Sequence, residues 1–425
     1  MADSYLRLII ISLLMLVTDW YLFQAVKAVF RKYDEKTRRA IALVFWFFSA
    51  VVIASLFLVV FVTLPDELRK GLMLTAILLV LFKFFALPAL IIDDLRRGLV
   101  SFIRWIRKRF NPAPPAEGEL KEVENKISRS EFLSKAGLLV GSVPLATLGY
   151  GIVSNSVYDY RVHRVKLKFP DLPAAFHGLR IAQLSDIHAG SLSAKRTGAV
   201  AAGIELLMRE KPDVAFFTGD LVNDETAEMR NWVNVFEKLK APLGVFSVTG
   251  NHDYGDYRQW SSPAAKKRNF EDLKRVHANM GWNLLMNQHH LLKQGGEQLA
   301  IIGVENWGAI ARFPQYGRLE EARKGTEDAA VKLLLSHDPS HWRAQVLPEF
   351  SDIDATFSGH THGMQFGVRF KQFQWSPAQY VYPEWAGLYR EGGQQLYVNV
   401  GYGFLGYPGR VGMRPEITIF ELERG

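Results

Sequence analysis

At 425 residues the chain is long enough for more than one ordinary compact domain. It contains no cysteine, which excludes disulfides and thiolate metal sites, so any metal must sit on His, Asp, Glu or Asn. The net charge of +8 comes without an aromatic-interleaved basic stripe or any nucleic-acid-binding signature, so the surplus of Lys and Arg reads as membrane topology.

Three apolar runs open the chain. Leu6 to about Phe30 is interrupted by Thr18, Asp19 and Lys27; Ala40 to Leu64 carries only small polar residues; Leu72 to Ile92 has Lys83 as its sole charge. Each approaches or exceeds the ~20 residues needed to cross a bilayer, so residues 1–110 are expected to be an all-α transmembrane region. Asp19 is costly inside the first span and needs a partner or a place near the interface. The loop Lys27–Arg39 and the segment Arg96–Arg109 are rich in Lys and Arg, whereas Pro65–Lys70 is balanced. The positive-inside rule puts the first two in the cytoplasm and the N-terminus outside. Phe102–Phe110 mixes aromatics with Arg and is expected to lie along the anionic inner leaflet.

Residues 111–157 read as a Pro- and Glu-rich linker followed by a fourth, mildly apolar segment, Leu138–Ser154. Ser128–Gly137 (SRSEFLSKAG) resembles a twin-arginine export signal with Ser130 in place of one Arg. Two readings stay open here: a fourth span that carries the C-terminal domain outward, or a packed helix hairpin that stays in the cytoplasm. The basic residues before the segment favour the span and an extracytoplasmic domain.

From residue 158 to 425, short strand-like runs alternate with charged amphipathic stretches, as in an α/β domain. Five of these runs end in metal-ligand chemistry. Arg180–Ser185 leads into Asp186-Ile187-His188, Val214–Thr218 into Gly219-Asp220-Leu221-Val222-Asn223-Asp224, and Val245–Thr249 into Gly250-Asn251-His252-Asp253. Val331–Ser336 leads into His337-Asp338, and Ala355–Ser358 into Gly359-His360-Thr361-His362-Gly363. Ligands in α/β proteins bind beyond the carboxyl ends of strands, so five such ends on neighbouring strands converge. Two divalent ions ~3.5–4 Å apart need several O and N ligands and one bridging carboxylate. Each motif alone has an ordinary explanation, such as a turn or a helix cap; five in succession, each after a strand, favour a metal site.

The ordered set DIH, GDLVND, GNHD, SHDP and GHTH resembles the calcineurin-like metallophosphoesterases, and among them a membrane-attached bacterial branch. The resemblance covers about Val165 to Glu423. It implies a two-sheet β-sandwich flanked by helices with a dinuclear site on one edge, in a chain held in the bacterial inner membrane. It implies that Asp186, His188 and His362 hold one metal, that Asn251, His337 and His360 hold the second, and that Asp220 bridges them. The two divalent ions would be Mn, Fe, Zn or Mg. His252 is implied to be the proton donor rather than a ligand. The chain departs from the family where many members place an Asp beside the catalytic His: Asn223 stands there, so Asn223, Asp224 or Asp253 is left to orient His252.

The expected reaction is hydrolysis of phosphomono- or phosphodiesters, with a hydroxide shared by the two ions as nucleophile and His252 as general acid. Membrane tethering points to lipid-linked or envelope substrates. The alternative, a metal-binding sensor module without efficient turnover, is disfavoured because His252 and every ligand are present. A transporter ranks last, since the spans carry few ionisable residues. His289-His290 reads as surface, His341 as a helix start and His277 as a bland position on an amphipathic helix. Arg410 and Arg414 read as phosphate contacts or loop decoration. The aromatic segment Phe366–Tyr389 reads as sheet and core, as a substrate-facing hairpin, or as a lipid-facing lip.

Overall fold

The computed structural model describes residues 2–62, 64–110, 129–370 and 373–425; the expected linker at 111–127 falls outside them. Two compact units emerge, Met1–Tyr150 and Gly151–Gly425.

The first unit is helical: α1 (Ala2–Val29), α2 (Glu35–Phe61), α3 (Asp66–Phe110) and α4 (Arg129–Val153). Asp34 caps α2 by accepting from Thr37 N at 2.9 Å, which sets where the second run starts. All four helices have a stretch long and apolar enough to cross a membrane. α3 continues unbroken through the basic segment expected to lie along the leaflet. At 45 residues it is about 68 Å long, over twice a hydrocarbon core. Nothing in Arg96–Phe110 ends a helix, and its first two charges are met locally, with Arg96 2.9 Å and Arg97 3.2 Å from Asp93. Asp19 does have a partner: its carboxylate lies 2.7 Å from Lys83 Nζ on α3 and accepts from Ser49 Oγ on α2 at 2.6 Å. The acid of the first apolar run and the sole charge of the third thus neutralise each other. Gly137 and Gly141 let α4 approach α3 closely; a Cβ on Gly141 would meet Phe82 O at 2.7 Å and Ala86 Cβ at 2.8 Å.

The second unit holds fourteen strands among its described residues. They are β1 (Arg161–Phe169), β2 (Arg180–Leu184), β3 (Val214–Phe217), β4 (Val245–Ser247), β5 (Asn283–Leu284), β6 (Gln288–Gln294) and β7 (Glu297–Gly303), then β8 (Val331–Leu335), β9 (Ala355–Ser358), β10 (Val368–Phe370), β11 (Phe373–Trp375), β12 (Gly387–Glu391), β13 (Gln394–Val398) and β14 (Glu416–Arg424). One six-stranded sheet has the order β1-β14-β2-β3-β4-β5, the other β12-β13-β9-β8-β7-β6, and β10-β11 is a separate hairpin.

Side-chain alternation builds the layers. Ile181, Val214, Phe216 and Phe420 from one sheet pack with Ile301, Leu333, Leu335 and Phe357 from the other, forming the central core. Their strand neighbours Ala182, Leu184, Ala215 and Phe217 face the opposite way, against Val200, Ile204 and Leu207 of α5 (Thr197–Met208). Ala300, Ile302 and Leu334 likewise meet Trp342 and Val346 on the far side of the second sheet. This is the expected two-sheet sandwich flanked by helices. β2, β3 and β4 run parallel in one sheet and β8 and β9 in the other, so their carboxyl ends share one edge of the sandwich.

Candidate metal centre

That edge gathers the polar strand ends. The ligand atoms of Asp186, His188 and His362 lie within 4.8 Å of one another, and so do those of Asp220, His337 and His360. His188 Nε2 is 3.0 Å from His362 Nε2, and His337 Nε2 is 3.2 Å from His360 Nδ1. Asp220 links the two groups: its Oδ2 lies 3.5 Å from His188 Nε2 and 3.1 Å from His337 Nε2, while its Oδ1 accepts from His252 N at 2.9 Å. One oxygen of the Asp220 carboxylate thus lies between the two His/Asp groups.

The backbone is bent to make it. Asp186, His188, Asp220, His360 and His362 all have positive φ, between 47° and 72°. Such conformations cost non-glycine residues on the order of 1–2 kcal/mol each and persist where the surroundings enforce them. Asp253 supplies part of that enforcement. Its buried carboxylate accepts from Gly250 N at 2.9 Å, Asp220 N at 3.0 Å, Leu221 N at 2.8 Å and Val222 N at 3.3 Å, tying the β3 and β4 turns together. Gly250 is required beside it, because a Cβ there would come 2.2 Å from Asp220 Oδ1.

Outer contacts fix the rings. His337 Nδ1 donates to Thr218 O at 2.7 Å, leaving Nε2 to face Asp220. His360 Nε2 meets Tyr382 OH at 2.7 Å, and His188 Nδ1 meets Asn223 Oδ1 at 3.1 Å. Asn251 Nδ2 donates to Tyr257 OH at 2.9 Å, while its Oδ1 is buried and finds no donor among the described residues. An orphaned amide oxygen beside six imidazole and carboxylate groups is the donor set a pair of divalent ions would satisfy.

The electrostatics point the same way. Burial holds His188 down at about 3. Burial acts downward on His337 too, but Asp220 and Asp186 override it and hold the ring at about 10. For Asp186 and Asp220 burial acts upward, yet the surrounding imidazoles keep both well below the usual carboxylate range. Burial, with the charge of Asp220, pushes Asp253 up to about 7.

His252 lies beside these groups, half-buried, its ring centroid 5.0 Å from that of His188. None of the three candidate side chains orients it: Nδ1 donates to the main-chain carbonyl of Asn223 at 2.7 Å. The Asn223 side chain is spent on His188 and on Ser191, 3.0 Å away. The Asn223, Asp224 and Glu225 amides all bond to Glu228, so that loop is held by a capping box visible in the sequence as Glu225-x-x-Glu228. A cavity of about 480 Å³ opens over the site, lined also by Tyr257, Arg312, Phe313, Tyr382 and Tyr407. Sequence reasoning did not single these out; Tyr382 sat in a segment whose aromatic density also suits a core.

The remaining sequence candidates lie elsewhere. His277 is buried against Phe217 and Trp282, and His341 is buried and bonded to Ser336 Oγ and Gln345. His290 is exposed and His289 half-buried on β6. Arg414 pairs with Asp159. Arg410 is fully buried among the carbonyls of Val400, Gly401 and Gly403, 3.4 Å from His362 Nδ1, so it braces the ligand loop and does not reach into the cavity.

Comparison with known proteins gives the same two-part division. Residues 6–156 match the family described as "Probable Calcineurin-like phosphoesterase, transmembrane domain", and residues 179–364 match "Calcineurin-like phosphoesterase". A zebrafish (Danio rerio) transmembrane protein with metallophosphoesterase domain is 29% identical over 313 residues, which is 72% of this chain and 66% of that protein. The metallophosphoesterase YkuE of Bacillus subtilis is 29% identical over 307 residues, 70% of this chain and 98% of its own. A metallophosphoesterase of Campylobacter jejuni, Cj0846, is 28% identical over 313 residues, 72% of this chain and 73% of that one.

Proposed function

Because the chain belongs to the calcineurin-like metallophosphoesterases and carries a transmembrane domain ahead of the catalytic one, we propose that it is a membrane-anchored hydrolase of phosphomono- or phosphodiesters working with two divalent ions. The observation that carries this reading is the position of Asp220 Oδ2 between the two His/Asp groups, with the unpartnered Asn251 Oδ1 nearby. Asp186, His188 and His362 would hold one ion, Asn251, His337 and His360 the other, and Asp220 both. Ions held there would neutralise phosphoryl charge and acidify water near neutral pH.

The chain's own groups do the rest. The left-handed turns and the Asp253 clamp preset the ligand geometry, so little reorganisation accompanies binding. His252 donates through Nδ1 to a carbonyl, which leaves Nε2 as the position from which a proton passes to the leaving oxygen. Arg312 stands at the cavity wall over the Phe313 ring, 4.6 Å from its centroid, and supplies a cation for a substrate oxygen. The four apolar helices support a cell-membrane location, and the basic α1–α2 loop supports an extracytoplasmic catalytic unit, where lipid-linked or envelope phosphoesters would be the substrates.

The test uses the full chain in detergent, supplied in turn with Mn, Fe, Zn and Mg, against p-nitrophenyl phosphate and its bis-ester. Turnover that requires metal and falls at least ~100-fold in Asp220→Asn, with the bound-metal count reduced, is the expected result. Turnover that Asp220→Asn leaves intact overturns the dinuclear reading. Fusions of alkaline phosphatase and of a cytoplasm-only fluorescent protein to the C-terminus read the topology; fluorescence without phosphatase activity places the catalytic unit inside.

A further inference from the structure

The β10–β11 hairpin exposes most of its apolar face. Its register pairs Val368 with Trp375, Arg369 with Gln374 and Phe370 with Phe373. Alternation therefore places Val368, Phe370, Phe373 and Trp375 on one face and the polar pair on the other. In an ordinary surface hairpin the polar face meets water. Here Arg369 turns inward to the fully buried Glu416 at 3.1 Å, while Gln374 stays exposed and donates to Ala386 O at 3.3 Å. Most of the apolar face is left outward: Phe370 is 66% and Phe373 62% exposed, Val368 is exposed beside them, and Trp375 is half-buried. The following turn extends the patch: Tyr380 is 75% exposed and within 3.4 Å of Trp375 Nε1, and Val381 is exposed next to it. A two-stranded hairpin with this register cannot hide those rings by local slippage, since a one-residue shift would pull Arg369 from Glu416. A contiguous exposed apolar surface marks an interaction site.

We propose that this hairpin, with Tyr380 and Val381, is a bilayer-docking surface of the catalytic unit. Three observations select a membrane as the occupant. The patch offers Phe, Trp, Tyr and Val, the side chains that settle at the membrane–water interface. It is small: six side chains fall far short of the 20–30 residues per side of a stable protein interface, whereas a few inserted rings suffice for an amphipathic contact. And the tether is short: α4 ends at Val153 and β1 begins at Arg161, a stretch that spans at most about 30 Å when extended. The hairpin also adjoins the candidate metal centre. Val368 lies six positions after His362, Ser376 Oγ donates to Gly363 O at 2.7 Å, and Met364 is exposed in the cavity wall. Docking there brings the cavity to the depth at which a lipid phosphoester lies.

The chain has no cysteine, so one introduced thiol can carry a probe without further changes. The full chain bearing Phe373→Cys or Tyr380→Cys, labelled with an environment-sensitive fluorophore, is reconstituted into vesicles of phosphatidylethanolamine and phosphatidylglycerol. Asp328→Cys, ahead of β8 at the end of the sheet remote from His337, is the reference. Acyl chains brominated near the headgroup should quench the first two probes at least twofold and leave the third unchanged, and aqueous iodide should show the opposite order. Equal response of all three probes overturns the proposal. Shielding from iodide that grows with protein density, without bromine quenching, overturns it in favour of a contact between copies. The readout needs no turnover, so it stands or falls separately from the hydrolase reading.

Discussion

At the scale of single residues, His252 and its neighbour carbonyl define what the site can do. A main-chain carbonyl fixes the ring, and proton donation from it matters most when the leaving group is a poor one. His252→Ala is expected to lower kcat ~10²–10³-fold on an alkyl phosphoester and far less on a p-nitrophenyl ester, with bound metal unchanged; equal losses on both would remove the general-acid role. A second residue sets an acid limit on the fold. Burial holds His277 at about 3, against ~6.5 in the unfolded chain. Between those values the unfolded state binds the extra proton, so stability rises with pH there; the contribution is complete above 6.5 and is lost as pH falls toward 3. By pH 4.5 about 2–3 kcal/mol should be gone. His277→Leu should lie below wild type at pH 7 and close that gap by pH 4.5, as read by urea unfolding of the catalytic unit; a gap constant with pH would exclude this source.

At the scale of elements, the carboxyl ends of β2, β3, β4, β8 and β9 were legible in the sequence, because each apolar run stops at a candidate ligand and glycine marks three of the five turns. The helices of the first unit were legible for the same reason: long runs without interruption. Three things were not. The parallel β1–β14 pairing joins the first strand of the unit to the last, and no local pattern encodes so distant a partner. The carbonyl that holds His252 carries no side-chain signature. The mate of Asp19 was in plain sight as Lys83, but helix rotation decides which charge meets which, and apolar runs hide that rotation. The pair makes a sharp prediction. Lys83→Met alone leaves a buried carboxylate uncompensated and should cost about 3–5 kcal/mol, whereas Lys83→Met with Asp19→Leu should recover most of it. Thermal unfolding in detergent would check this; a double variant no better than the single one would mean the pair is not a closed unit.

At the scale of the whole molecule, two units of different physics share one chain, and a single melting temperature will not describe them. The candidate metal centre concentrates two carboxylates, four imidazoles and five left-handed backbones at one edge of the sandwich, and cations bound there would stabilise the folded unit. Chelation should therefore lower the transition of the catalytic unit by at least 5 °C and leave the helical unit unmoved, with added Mn restoring it; calorimetry of the reconstituted protein resolves the two. A chelator that moved neither would mean that the fold does not draw on the ions. The Asp19–Lys83 contact has a last consequence, in time rather than in space. Roughly sixty residues separate the two, and ribosomes add about 5–20 residues per second. For several seconds after α1 emerges, its carboxylate has no cation to meet. Until α3 arrives, Ser49 on α2 is the partner at hand for that carboxylate, so α1 is expected to settle fully only after the third helix has followed it.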